Sequence, residues 1–246
     1  MKKKISKIVI ENIKTIIAAL FIAVLIRSFI IQPFYIPSSS MEPTLLVGDR
    51  IFVSKFTYGI SKHSFPFSPN LFKGRIFDKL PDRGDLVVFK TPADNRTDYI
   101  KRLIGLPGDT IQFIDGNLFV NNKQILTTLI DNSKKLYCGK QQISVSTFEE
   151  KISSEKSYIV SYRNDISYQN SDKYLVPKNH YFFLGDNRDC SKDSRFLSEV
   201  GYVHQDNLVG KAQFLFFSSN SRDGSIFEIW KWPNIIRYDR FLKKLR

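Results

Sequence analysis

Eleven consecutive residues, Ile16 to Ile26, carry no charged or hydroxyl side chain, and after Arg27 and Ser28 the apolar character resumes to Ile31. Such a run predicts one helix in an apolar environment. At about 1.5 Å per residue, Thr15 to Ile31 covers only about 25 Å, so crossing a hydrocarbon core of roughly 30 Å needs flanking residues. Lys2, Lys3, Lys4, Lys7 and Lys14 precede it. Basic residues ahead of a span predict a cytoplasmic N-terminus, with the chain beyond about Pro33 on the outer face and Arg27 near enough to that face to snorkel. The expected division is a basic start at 1–14 and a transmembrane anchor at 15–32. A cleaved secretory leader ending at Ser38-x-Ser40 is the competing reading. The anchor is preferred because the sequence after Pro33 runs as one motif through Leu45.

The rest of the chain is punctuated by turn residues. Gly48-Asp49, Gly84-Asp85 and Gly108-Asp109 each open a short apolar run, and Gly185-Asp186 closes Tyr181 to Leu184. Turn residues around short β-branched and aromatic runs predict an all-β domain, with further strands at 99–104, 117–120, 157–162 and 208–217. Between Phe113 and about Leu175 the sequence turns polar and loses its period. The expected fold is therefore mostly β: a catalytic β-sheet domain from 33–112 and 176–246, carrying a smaller, partly β subdomain inserted at 113–175. Residues 59–80 read as a long loop or ribbon, and the aromatic, basic tail from Ile226 as a packed terminus or an interfacial patch.

Composition removes several classes of function. A formal charge of +13 would suggest nucleic acid, but the basic residues are scattered among acids and form no aromatic-interleaved face, so the excess is read as membrane-related. Cys138 and Cys190 are the two cysteines, without a Cys-x-x-Cys or histidine cluster, so no metal and no cofactor is expected. Their separation leaves a disulfide open, and both are expected to lie outside any proton path.

The stretch Ile36-Pro37-Ser38-Ser39-Ser40-Met41-Glu42-Pro43 places a hydroxyl on stiff backbone just after the apolar segment. A serine needs a base within hydrogen-bond reach to act as a nucleophile. His63, His180 and His204 stand alone, whereas Lys101 lies in an apolar strand pattern. On an extended strand Lys101 shares a face with Tyr99 and Leu103, and Arg102 points the other way. A base acting near neutral pH requires the amine to fall from about 10.4 to roughly 7–8, and burial among apolar neighbours is the available cause. In the loop that follows Leu184, Ser191 is placed to orient the amine, and Asp193 with Arg195 to form a pinning ion pair. Ser153-Ser154-Glu155-Lys156 fits a Ser-x-x-Lys pattern, but without its companion motifs or a helical setting it is read as chance.

Taken together, Ser38 to Leu45, Asp98 to Asp109 and Gly185 to Arg195 resemble the type I signal (leader) peptidases. The resemblance implies Ser40 as nucleophile, Lys101 as general base, Ser38 with the Ser40 N–H as oxyanion hole, and Ser191 as the residue that positions the lysine. Gly185, Asp193 and Arg195 match structural members of the third block. It also implies a bacterial enzyme of the plasma (inner) membrane that removes signal peptides from exported preproteins at the outer, periplasmic face. The lipid bilayer and preproteins are then its partners, with no nucleic acid. The substrate is expected to add as a β-strand, its small residues entering a pocket walled by Phe34, Ile36, Met41, Leu45, Tyr99 and Ile100.

Overall fold

The computed structural model describes residues 2–70, 72–165, 167–220 and 222–245. Met1 and the side chains of residues 2–8 lie outside that description, so the basic start is known from sequence alone. Helix α1 covers Lys2–Phe29. Within it Val9–Phe29 has a mean hydropathy of 2.2 and is long and apolar enough to cross a membrane, and its residues 9–27 are exposed. Its 21 residues reach about 32 Å. The apolar helix thus starts earlier than the expected 15–32, and Ile31 and Gln32 belong to the first strand. Pro33 fits that strand, because it favours extended backbone at Gln32, the residue before it.

The strands follow in chain order: β1 (Ile31–Tyr35), β2 (Asp49–Ser54), β3 (Leu86–Lys90), β4 (Asp98–Gly105), β5 (Thr110–Ile114), β6 (Asn117–Val120), β7 (Lys123–Gln124), β8 (Leu126–Cys138), β9 (Gln141–Lys151), β10 (Ser157–Arg163), β11 (Tyr174–Leu175), β12 (His180–Leu184), β13 (Val203–His204), β14 (Leu208–Ser218) and β15 (Lys243–Lys244). The main sheet has eight strands in the order β1-β2-β14-β3-β4-β12-β13, with β15 paired to β14. A second sheet is β11-β5-β6-β7, and a third is β10-β9-β8.

Three of the Gly-Asp dipeptides build the same turn. Gly48, Gly84 and Gly108 hold φ of 96°, 89° and 88°, a region costly for any residue with a Cβ. The following aspartate donates its N–H back to the carbonyl three residues earlier, at 3.0–3.1 Å, as in a type II turn. Its carboxylate meanwhile accepts the amide of that same residue: Leu46, Asp82 and Leu106 at 2.8, 3.3 and 2.6 Å. The strands so launched are densely apolar. Val87, Phe89, Leu103 and Phe183 fill one core, while Ile51, Val53, Leu86 and Val88 join Ile36 and Met41 in another.

The third sheet is built differently. Strand β8 is exposed along nearly its whole length, and β9 buries Ile143, Val145 and Thr147 at alternating positions, with Glu150 buried further along. It meets the segment between β1 and β2 through its tip and through β10, whose Ser161 N–H donates to the Asp186 carbonyl at 2.8 Å and whose Oγ donates to the Glu42 carbonyl at 3.2 Å.

Candidate active site

Ser40 lies in a one-turn 3₁₀ helix, Ser39–Met41, between β1 and β2. Both neighbours in the turn are buried, with Met41 fully enclosed in the core below, so the apolar side of the turn is anchored there. Its back is held by the loop after β12. The Asn187 N–H donates to the Ser40 carbonyl at 3.1 Å, and Asn187 Nδ2 to the Ser39 carbonyl at 3.1 Å. Gly185 is required for this closeness: a Cβ there would stand 2.5 Å from the Ser40 carbonyl oxygen and 2.1 Å from Ser191 Oγ.

Lys101 reaches Ser40 from β4, paired with Val87 of β3. Its Nζ donates to Ser40 Oγ at 2.6 Å and to the Ile100 carbonyl at 3.1 Å, and it sits 5.2 Å from the Tyr99 ring centroid. The side chain is 3 % exposed. Burial brings its pKa down to about 8; Asp193 and Asp186 oppose the shift and Arg195 adds to it. Ser38 Oγ, on the exposed side of the turn, is 3.3 Å from Ser40 Oγ.

The Ser191 hydroxyl does not make the expected bond to the lysine amine. Its Oγ is buried against Gly185, with no hydrogen-bond partner among the described residues. The amine is instead oriented by its own strand, through the Ile100 carbonyl. Asp193 and Arg195 form a buried fork, Nε to Oδ1 at 2.8 Å and Nη2 to Oδ2 at 2.9 Å. Asp193 also accepts the Gly185 N–H at 3.0 Å, and Arg195 donates to the Arg188 carbonyl.

A cleft of about 400 Å³ opens beside the two side chains. Phe34, Ile36, Met41, Tyr99 and Ile100 line it as expected. Leu45 does not: it is fully buried among Ile51, Val53 and Leu215, because the segment after Pro43 turns inward beneath the sheet. Ile51, Val88 and Cys190 line the cleft and were not foreseen. Each belongs to a segment whose pattern reads as ordinary core or turn, so only the fold could bring them there.

Sequence reasoning also missed two buried ion pairs behind the site. Arg102 grips Asp186 through Nε–Oδ1 at 2.8 Å and Nη2–Oδ2 at 2.7 Å, donates to the Gly84 carbonyl at 2.8 Å, and lies 4.0 Å from the Tyr158 ring centroid. Arg188 pairs with Glu150 of β9, both oxygens at 2.5 Å. The visible signal for Arg102 was its place on the inward face of β4, opposite to Lys101. Cys138 and Cys190, left open by the sequence, are joined as a disulfide. His63 is buried, His180 and His204 contact one another edge-on, and none of the three adjoins Ser40. Among the described residues, no group of three or more His, Cys, Asp or Glu is placed to hold a metal ion.

The sequence model of the family described as "Signal peptidase, peptidase S26" matches residues 9–217. A protein named signal peptidase I from Rickettsia bellii (strain OSU 85-389) is 39% identical over 259 residues, covering 98% of this chain and 87% of its own. Signal peptidase I of Rickettsia typhi is 40% identical, covering 98% and 96%, and that of Rickettsia conorii 43% identical, covering 92% and 83%. A crystal structure of a signal peptidase I from Enterococcus faecalis V583 is 26% identical, covers 54% of this chain and 97% of that one, and superposes with a TM-score of 0.32.

Proposed function

The chain belongs to the signal peptidase family, peptidase S26, a family of serine proteases, and from that premise we propose that it is a membrane-anchored endopeptidase that cuts N-terminal signal peptides from exported preproteins with Ser40 and Lys101. The observation that carries this reading is the 2.6 Å contact between a buried, pKa-depressed lysine and a serine fixed on a rigid turn. The neutral amine takes the Ser40 proton, and Ser40 Oγ attacks the scissile carbonyl. The Ser40 N–H and the Ser38 hydroxyl stabilise the oxyanion, the latter by rotating from Ser40 Oγ toward the substrate. The protonated lysine then passes its proton to the leaving amine, and the same neutral amine activates the water that releases the acyl-enzyme.

Two open backbone edges support an extended substrate. In β4, the residues 98–101 pair with β3 on one side, while β12 pairs only from Arg102 onward. Strand β1 is the outer strand of the main sheet, and the chain beyond it flanks the opposite wall of the cleft. A peptide laid between them gains main-chain hydrogen bonds and sends alternate side chains toward Ile36, Met41, Val88 and Ile100. Anchoring through α1, with the N-terminus cytoplasmic and the β-domain on the outer face of the bacterial inner membrane, rests on the apolar helix and the lysines before it.

Cleavage of a preprotein by the full chain in detergent, compared with Ser40→Ala, tests the reading. Wild type should release a mature protein with a new N-terminus after a small residue, and the variant should release none. Equal cleavage by both would overturn it.

A further inference from the structure

The turn that carries Ser40 is backed by the tip of the β8–β9 hairpin, a segment distant in sequence and poor in buried contacts of its own. The Gly139 N–H donates to Ser39 Oγ at 3.1 Å, and the Tyr137 N–H donates to Glu42 Oε2 at 3.0 Å, so the tip touches the residues on both sides of Ser40 and Met41. Asn187 Nδ2 joins the three parts, donating to the Ser39 carbonyl at 3.1 Å and to the Tyr137 carbonyl at 3.0 Å. Between those contacts lies Cys138. Its bond to Cys190 crosses from the tip to the loop that carries Gly185, Asn187 and Ser191, and Cys190 itself lines the cleft with Ser40 and Lys101.

We propose that the Cys138–Cys190 disulfide is a positioning element of the peptidase: it clamps the hairpin tip against the Ser39–Met41 turn and the 185–195 loop, and so holds Ser40 Oγ in line with Lys101. The inference rests on the reading of Ser40 and Lys101 as the reacting pair. The rest of the hairpin cannot do this alone. Strand β8 is exposed along nearly all its length, and the small apolar cluster beneath the tip consists of Leu136, Ile143 and Val145 with the two cysteines packed on it. Remove the bond and three buried aliphatic side chains remain to hold a hairpin of 13- and 11-residue strands at that end. The hydrogen bonds to Ser39, Glu42 and Asn187 are single contacts that depend on the tip being in place. The Arg222 guanidinium, 3.7 Å from the Tyr137 ring centroid and donating to the Gly139 carbonyl at 3.1 Å, covers the tip from outside but does not tie it to the loop.

A clamp differs from a general staple in what it controls. A staple raises the melting temperature and leaves turnover untouched well below it. A clamp on the nucleophile turn lowers kcat when released, since a displacement of about 1 Å at a reacting atom can cost about 100-fold in rate, while peptide binding along the two strand edges is largely kept.

The experiment uses the full chain in detergent, oxidised, reduced with a phosphine, reoxidised, and as the Cys138→Ser, Cys190→Ser and double variants. Peptide cleavage is measured at least about 20 °C below the melting temperature of each form, and amide hydrogen exchange is followed over residues 37–45 and 185–195. The expected result is a 10- to 100-fold fall in kcat on reduction, KM changed less than about threefold, recovery on reoxidation, and faster exchange in those two segments and at the hairpin tip they contact, with the rest of the main sheet unchanged. The three variants should match the reduced wild type and be indifferent to the phosphine. If kcat on reduction stays within about threefold, or exchange at 37–45 is unchanged, the clamp is refuted and the bond is a staple. Should the oxidised wild type cleave no peptide, the peptidase reading itself fails. The exchange pattern then decides separately whether the bond holds the turn.

Discussion

Lys101 is held where its charged form is disfavoured, and that has consequences for both rate and stability. With a pKa of about 8, the amine is mostly protonated at neutral pH and becomes competent as pH rises. The log of kcat/KM should therefore climb with unit slope below about 8 and level off above it. A profile flat from pH 6 to 9 would exclude Lys101 as the base. The linkage has a definite sign. Between about 8 and 10.5 the unfolded chain binds more protons at this site than the folded one, so stability rises with pH across that window. Below it the full cost remains, on the order of 3 kcal/mol for a shift of this size. Lys101→Met should thus abolish cleavage yet raise the melting temperature at pH 7, with a gain of about 1–3 kcal/mol that shrinks above pH 8. Equal or lower stability at pH 7 would show that burial is not what depresses the amine. Its neighbour behaves in the opposite way. Arg102 is 1 % exposed and its fork with Asp186 is complete, so Arg102→Met leaves a buried carboxylate without its partner. The strand alternation alone suggests a mild variant; the structure instead predicts a loss of about 3–5 kcal/mol, measurable by denaturant unfolding.

The elements divide into those that announce themselves and those that do not. Strands β3 and β12 were legible because they are nearly continuous apolar runs, one opened by Gly84-Asp85 and the other closed by Gly185, as central strands buried on both faces must be, and β4 and β14 because short β-branched and aromatic runs dominate them. Strands β8 and β9 were not. One faces solvent on both sides, and the other has a polar Thr147 among its inward positions and Phe148 on the opposite face, so the period of two is weak in hydropathy although it is present in burial from 143 to 147. Ser40 and Lys101 were legible because a proline-bracketed serine and a lysine in an apolar strand are each locally anomalous. Ser191 was assigned from its loop position and from the match, neither of which fixes a hydroxyl rotamer, and its hydroxyl turns toward Gly185 instead. Five of the six residues expected as pocket walls line the cleft, whereas Leu45 fell into the core and Ile51 and Val88 were reached only through sheet pairing. This geometry makes a selective prediction. Ile36 and Ile100 present branched side chains to the cleft, so substrates with Ala-x-Ala before the cut should be accepted, while Leu or Phe at the last position should overpack by roughly 1–3 kcal/mol or more. Ile36→Ala or Ile100→Ala should narrow that gap in kcat/KM. Unchanged selection in both variants would move the pocket elsewhere.

At the scale of the whole molecule, the helix and the β-domain are joined by very little. Residues 9–27 of α1 are exposed, and firm packing begins at Ser28 and at Phe29, whose ring meets Phe65 edge-on at 5.4 Å. The main sheet starts two residues later, and only a few residues separate β1 from Ser40. This short tether fixes how far the cleft can stand from a bilayer. From Phe29 to Ser40 is eleven residues, which even fully extended reach no more than about 40 Å, and β1 lays five of them along the sheet. A preprotein held in the same bilayer by its own apolar segment therefore meets the cleft as a tethered partner, at an effective concentration set by geometry. Removing residues 2–27 should take away the tether and little of the core. The truncated chain should be released from membranes, keep kcat/KM for a short soluble peptide within about tenfold of the full chain, and lose more than about 100-fold on a preprotein embedded in vesicles. Flotation separates the first outcome, and parallel assays on the two substrates separate the others. If the truncated chain fails equally on both substrates while its circular dichroism is unchanged, α1 is part of the catalytic fold. If it cuts both as well as the full chain does, the helix contributes nothing to substrate capture.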